Sequence, residues 1–378
     1  MKSNIHLPIN WTDGVKLTKD HFVNNYFNTV TIVSDYNKVQ LNNFNYGSIQ
    51  SANDKPIDID IKIEAGQLVA YLKKCEAVAK NGHLISFNQE IYGSKLPEAS
   101  IDANDLDNNS FEQYYVLVAI NPYNLIPVGI PDPEMIPLHH PHALPEIKLH
   151  IINKKELNDN YLEGYFLIVK KMKFQNGTFL QDDKYIAPVV KTKNNEILNQ
   201  FISRVNNELY LLNDFSIKIH KKNKQSSVSN KLVVNTFSLC TKVIDYYAEH
   251  CFYFKNIAAE ESPVYMFNKI IVLANHLLST LTLMDDKEKE VLLQYYYEWI
   301  DVKPSELLSV LFEAKSVVYD HNDIEQTLEK ANQFLGVLKR LWQKLSELEY
   351  IGIRKDNIVI SEETKTLPPK SNTWSILD

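Results

Sequence analysis

Residues 181–190 read Q-D-D-K-Y-I-A-P-V-V, and the chain changes character across them. Upstream, apolar residues alternate or come in short runs cut by Asn, Asp, Gly and Pro. Downstream, they recur every three or four residues. A period of two is the spacing of a strand with one wet face, and 3.6 is that of a helix, so a β half meets an α half here. Pro188 fixes its own φ and biases Ala187 toward extended backbone, which suits a strand end handing over to a helix. Residues 191–196, K-T-K-N-N-E, are a polar entry to the first helical period.

Toward the N-terminus, residues 57–63 read I-D-I-D-I-K-I, a strict alternation that predicts a strand. Ala65-Gly66 ends it, and residues 67–72 are its expected return. T-V-T-I-V at 29–33 reads as a strand, 42–47 as a turn and Asn81-Gly82 as a hairpin turn. Residues 101–110 are acidic and Asn-rich, the composition of a surface loop. The short apolar run at 114–120 predicts a core strand, followed by a proline-rich connection over 122–145 and strands at 148–152 and 165–170. Short strands at this spacing predict an antiparallel β-sandwich for residues 1–190.

Toward the C-terminus the stripes are helical. Ile197, Phe201, Val205 and Leu212 line one helix; Val233, Phe237, Cys240, Ile244, Tyr247 and Cys251 line a second. Val264, Phe267, Ile271, Ala274, Leu278 and Leu281 line a third; residues 287–299 and 305–317 are shorter helices. Ile324, Leu328, Ala331, Leu335, Leu338, Trp342 and Leu345 line the last. Four long and two short amphipathic helices predict a bundle over residues 191–345. Aromatic residues flank the stripes, and a wide stripe predicts self-association, with Val233, Phe237, Ile244, Phe334 and Leu338 between copies. Helical period is lost at Gly352; residues 353–360 predict one strand, and 366–371 an extended segment. The stretch 346–378 is read as a tail whose apolar end, Trp374, Ile376 and Leu377, docks on a partner. The fold class is therefore an α+β multidomain protein, a sandwich followed by a helical bundle and a short tail.

Composition narrows the function. The chain has 378 residues, 44% hydrophobic and 23% charged, with a net charge of −7. An acidic balance argues against gripping nucleic acid. Cys75, Cys240 and Cys251 are odd in number and far apart, without disulfide or zinc spacing, which points to a reducing compartment. Cys240 and Cys251 fall on an apolar stripe and are expected to be packing residues. The first ten residues lack a signal-peptide pattern and no run of 18 apolar residues exists, so the expectation is a cytoplasmic chain without membrane insertion.

Candidate chemistry is sparse. His139, His140 and His142 form a histidine cluster, but no Asp, Glu or Cys stands at ligand spacing, and a surface loop accounts for it. Asp182-Asp183 are adjacent, so on a strand they diverge; a solvated turn is the expectation. Tyr319-Asp320-His321-Asn322-Asp323 resembles half of a catalytic constellation, yet Asp320 and Asp323 precede a helix, where Asp serves as a cap. There is no Gly-rich phosphate loop, no G-x-S-x-G and no H-E-x-x-H. No catalytic residue, metal or cofactor is assigned.

Several stretches together resemble the TssK family of type VI secretion baseplate subunits. Trp11, Gly14, Leu17, His21 and Phe22 match the family's opening W-x-E-G-x-x-L-x-P-Q-H-F, with Asp13 for Glu and Lys19-Asp20 for Pro-Gln. Asn45-Tyr46-Gly47 resembles its next turn, and Lys184-Tyr185-Ile186-Ala187-Pro188 its R-Y-I-P-P-x-L element. Ser262-Pro263 with Tyr265, then Leu273-Ala274 with Leu277, resemble a later helix, and residues 319–324 its Y-D-H-x-D-L. The resemblance implies a shoulder sandwich, a trimerising helical neck and a head; after Leu345 too little chain remains for that head. It implies a non-enzymatic homotrimer at the inner face of the cytoplasmic membrane. Its partners would be wedge proteins (TssF/TssG-like), bound through Trp11, Gly14, Leu17, His21 and Phe22, and the secretion membrane complex. Two rivals are a carbohydrate- or peptide-binding sandwich with a helical oligomerisation module, and a metal enzyme built on the three histidines.

Overall fold

A computed structural model describes residues 6–49, 55–64, 66–93, 95–107, 111–158, 161–222, 230–300 and 302–354. After an extended start, the chain forms helix α1 (Lys19–Gln40). The expected strand at 29–33 lies inside it, a correction with a local cause. The Thr29 and Thr31 hydroxyls donate to the carbonyls of Asn25 and Phe27, one turn back, so the β-branched run is accommodated helically. At the other end of the helix, the Thr18 N–H donates to His21 Nδ1 at 3.3 Å.

Two antiparallel sheets follow. In the first, the long strand β3 (Gln67–Val78) is central. One edge carries β2 (Ile57–Glu64) and the two-residue β1 (Gly47–Ser48); the other carries β4 (Leu84–Asn88) and β5 (Glu98–Asp102). The one-turn helix α2 (Gln89–Tyr92) lies between β4 and β5. The register of β3 jumps between its pairs with Asp58 and Ile59, leaving Lys73 as an extra residue. This bulge turns the inward face from Leu68, Ala70 and Leu72 to Cys75 and Ala77, which explains why simple alternation cannot be followed through the strand.

The second sheet runs β7 (His142–Asn153), β6 (Glu112–Val128), β8 (Phe166–Gln175), β9 (Thr178–Gln181). The proline-rich connection is strand at both ends: β6 and β7 pair from Tyr114↔Asn153 out to Val128↔His142, leaving 129–141 as the tip. Pro122 is tolerated because it lies where three residues leave the ladder between Asn121 and Leu125. The inner faces of the two sheets share one core around Leu68, Phe87, Val116, Val118, Leu167 and Phe174. The outer face of the second sheet is also covered, with Tyr115, Leu117 and Ile168 under Leu157, Tyr161 and Tyr185.

The α half comprises α3 (Glu196–Lys222), α4 (Lys231–Asn256), α5 (Pro263–Thr282), α6 (Asp286–Ile300), α7 (Pro304–Ser316) and α8 (Ile324–Glu347) around a single core. Asn230 caps α4 by accepting from the Leu232 N–H at 2.9 Å, and proline opens α5 and α7. α3 packs on α4 and α8, and α5 on α4 and α7. Every predicted stripe residue of α8 is buried, each aliphatic one contributing roughly 1.5–3 kcal/mol. On α4 the predicted stripe residue Cys240 is buried, but the rest of the stripe is displaced by one residue: Leu232, Thr236, Leu239, Val243 and Tyr246 point inward, and Val233, Phe237 and Ile244 stand half-buried beside them. α5 is long and apolar enough to cross a membrane, although no 18-residue apolar run exists; eight of its residues, Phe267 and Leu277 among them, are buried against the rest of the chain.

Phe334 and Leu338 are 1% and 3% exposed, so they belong to the core of one chain, correcting their assignment to a surface between copies. Cys75 and Cys240 are buried and Cys251 half-buried, all as free thiols. Ile353 and Arg354 lie in no strand, and the rest of the predicted strand 353–360, with Trp374, Ile376 and Leu377, lies outside the described residues.

Candidate functional site

The stretch 181–190 is shared between the two halves. Tyr185 packs on the outer face of the second sheet, whereas Ile186 and Val189 enter the helical core. Gly47 faces this stretch with φ +119°, and a Cβ there would lie 2.2 Å from the Pro188 carbonyl. Only glycine allows that approach. It lets the Ser48 N–H donate to Pro188 O at 2.9 Å and the Val190 N–H to Ser48 O at 3.1 Å, a parallel bridge between first sheet and linker. The Asn194 side-chain amide adds a 2.9 Å bond to Ser48 O.

The stretch 319–323 meets the same place from the α side. His321 is buried; its Nε2 lies 2.9 Å from Tyr46 O and its Nδ1 2.7 Å from the Tyr319 hydroxyl. A neutral ring satisfies both when Nε2–H donates and Nδ1 accepts. Burial holds its pKa down at about 4, which keeps the ring neutral. The Tyr46 hydroxyl donates to Asn322 Oδ1 at 2.9 Å. Ser262, which begins the Ser-Pro entry to α5, donates its hydroxyl to Phe44 O. Thr192, fully buried, donates both N–H and hydroxyl to Glu261 O at 2.8 Å.

A charged cluster completes the seam. Lys171 Nζ is 3.0 Å from Asp323 and 3.8 Å from Asp182, and Lys173 is 2.9 Å from Asp182. Asp183 is an exposed turn residue as expected, but Asp182 is buried, which corrects its half of the solvated turn: its carboxylate answers two lysines. Asp323 begins α8 but its side chain makes no capping bond and pairs with Lys171 instead. Lys171 was missed by sequence reasoning, since nothing distinguishes it locally from Lys170 and Lys173. Excess negative charge remains: Asp182, Glu329 and Asp323 raise the pKa of Glu325, after burial as the larger cause.

The N-terminal residues form a separate feature. Trp11, Leu17 and Phe22 are 52%, 61% and 61% exposed, so none closes the sandwich core. Trp11 packs edge-on against His21, ring centroids 5.8 Å apart. Gly14 takes φ +82° in open space. His21 is thereby tied to the helix start, where it accepts from Thr18. Of the five residues matched to the family opening, three are exposed apolar groups and two shape the turn and helix start that display them. The histidine cluster does not converge: His140 is engaged with Gly129 O at 2.9 Å, and no group of His, Cys, Asp and Glu among the described residues could hold a metal.

No family model matches the chain, and no curated protein does. Solved structures do. A crystal structure of TssK aligns with 91% of this chain and 70% of its own, at 14% identity and a TM-score of 0.48. A type VI secretion baseplate complex aligns with 89% and 99%, at 13% identity and 0.49. A TssK–TssF–TssG baseplate subcomplex aligns with 88% and 99%, at 13% identity and 0.46.

Proposed function

We propose that this chain is a structural subunit of a type VI secretion baseplate, a homotrimer that binds wedge proteins of the TssF/TssG kind through its sandwich half. The observation that carries the reading is the convergence of the family-like motifs. Tyr46 of Asn45-Tyr46-Gly47 bonds directly to His321 and Asn322 of Tyr319–Asp323, as many as 276 positions away, and its neighbours Phe44 and Ser48 bond to Ser262 and Pro188 of the other two stretches, so the four meet at one seam. Chance resemblances would be scattered over the fold. The seam's role is mechanical: both nitrogens of His321 are engaged by structural partners, leaving neither to move a substrate proton. From the seam α8 runs for 24 residues, about 36 Å at 1.5 Å per residue, so its own two ends are held well apart. That suits an adaptor between two assemblies, with residues 1–190 facing the wedge, 191–345 holding the copies together along the outer flank of α4, and 346–378 directed toward the membrane complex.

The wedge contact is assigned to Trp11 and Leu17, exposed aromatic and aliphatic anchors of the kind that dominate interfaces. The test is co-purification of the full chain with its host's wedge proteins. The double variant Trp11→Ala/Leu17→Ala is expected to lose the wedge while its circular dichroism and melting temperature stay those of the parent. Wedge binding that survives both changes refutes the assignment, and a parent chain that captures no wedge protein refutes the function.

A further inference from the structure

The first sheet ends on an open ladder. β2 pairs along its whole length with β3 on one side, and no described strand pairs with it on the other. Two other edges are covered: Ser48 of β1 bridges to Val189 in the linker, and β5 lies beside β7. Only residues 65 and 66 separate the pair Glu64↔Gln67, so this pair closes a tight hairpin. The closing pair of such a hairpin exchanges both backbone bonds, and bonded and unbonded pairs alternate from it. Asp60, Lys62 and Glu64 therefore turn N–H and C=O toward β3, while Ile59, Ile61 and Ile63 turn theirs outward. The core is unfinished at the same place. Leu68, Ala70 and Leu72, opposite these three isoleucines, are fully buried, whereas Ile59 and Ile61 are half-buried and Ile63 is exposed. Three usual guards of an edge are missing from 57–64: a proline, a bulge in the edge strand itself and an inward-pointing charge.

A row of outward N–H and C=O groups takes an extended backbone, and half-covered isoleucines take apolar side chains on alternate residues of it. Charge fixes the rest. On the solvent face, Lys62 stands over the Tyr71 ring at 5.4 Å and Lys73 answers Asp60 at 3.5 Å, so β3 engages both. Asp58 and Glu64, six positions apart, are exposed and make no ion pair with a described residue. We propose that β2 receives an extended segment of another protein as an added strand of the first sheet. That segment carries apolar residues at alternate positions and a basic residue at each end, beside Asp58 and Glu64. A second copy of the chain does not fit: its β2, antiparallel and centred on Ile61, would set Asp58 against Glu64. The site is independent of the wedge assignment, since Trp11 and Leu17 precede α1.

The probe is the capped, dye-labelled peptide Lys-Val-Thr-Val-Thr-Val-Lys, added to the full chain and followed by fluorescence anisotropy and amide exchange. It is expected to bind at least tenfold more tightly than Glu-Val-Thr-Val-Thr-Val-Glu. It is also expected to slow exchange at Ile59, Ile61 and Ile63 at least tenfold, with α8 unchanged. Asp58→Lys/Glu64→Lys, which changes only exposed side chains, is expected to reverse the preference between the two peptides. Backbone N-methylation separates strand addition from charge attraction alone. Methylating the three valines removes the N–H groups of one peptide edge, and methylating the two threonines removes those of the other. One set is expected to weaken binding at least tenfold and the other to spare it. Equal binding of the two methylated peptides overturns the proposal. So does a peptide that leaves the β2 amides unprotected, or one that shows no preference for basic ends.

Discussion

At the scale of single residues, the seam depends on His321 staying neutral. Its pKa is held at about 4 against an ordinary 6.5, chiefly by burial. In the unfolded chain the ring takes up a proton as pH falls through 6.5, but in the folded chain it does so only near 4. The unfolded state thus binds more protons in that window, and folding stability falls as pH drops from 6.5 to 4. A shift of this size corresponds to a loss of about 2 kcal/mol between pH 7 and pH 5. His83 is depressed in the same direction, so the contribution has to be isolated by substitution. His321→Gln can keep a donor toward Tyr46 O and an acceptor toward Tyr319 without titrating. Urea midpoints measured at pH 7 and pH 5 should fall further for the parent than for His321→Gln; equal falls would show that His321 is not the sensor. The residue was visible in the sequence as part of Y-D-H-N-D, but its neighbours suggested a cap. What the motif could not show was that its partner would be the carbonyl of Tyr46, 275 positions away.

At the scale of elements, legibility followed locality. The α8 stripe is uninterrupted and its period decides the buried face, so every residue read from it is buried. On α4, aromatic residues stand on both flanks of the true stripe, and the period alone allowed a frame one residue off. The run T-V-T-I-V has strand composition, but its surroundings made it helical: a capped start, threonine hydroxyls bonded one turn back, and a docking point on the second sheet. That docking point is Tyr123, placed by the irregularity in β6. It stacks on His6 at 5.1 Å between centroids, meets Phe27 edge-on at 5.6 Å and bonds Thr31. If Tyr123 is the clasp of α1, Tyr123→Ala should release the helix and spare the sandwich. Amide exchange is expected to accelerate at least tenfold across residues 19–40 with β3 and β6 unchanged, a local opening rather than global unfolding. Unchanged protection of α1 would show that the polar contacts to Gly82 and His83 are sufficient without the clasp.

At the scale of the whole molecule, two cores are joined by a polar seam, and their stabilities are predicted to be coupled through it. The change of period at 181–190 announced the two halves, because each has its own repeating local pattern. Their joint was not announced, because it is made from single residues at long range: a glycine, a carbonyl, an imidazole and a buried lysine. Gly47 is its narrowest point. Alanine there would force a Cβ against the Pro188 carbonyl and would also occupy φ +119°, a conformation that costs an L residue on the order of 1–3 kcal/mol even without the clash. Relief requires β1 to move off the linker, breaking the bridge between Ser48 and Val189 and loosening Tyr46 from His321 and Asn322. Each half would retain its interior, since neither the sandwich core nor the helical core contains Gly47. Calorimetry of the full chain is therefore expected to show one cooperative transition for the parent and two for Gly47→Ala, the first at a lower temperature than the parent's. Two independent transitions in the parent would mean that the seam transmits no stability. A single unshifted transition in Gly47→Ala would mean that the linker yields to the added methyl group, leaving the coupling to the Lys171–Asp323 pair and the His321 bonds.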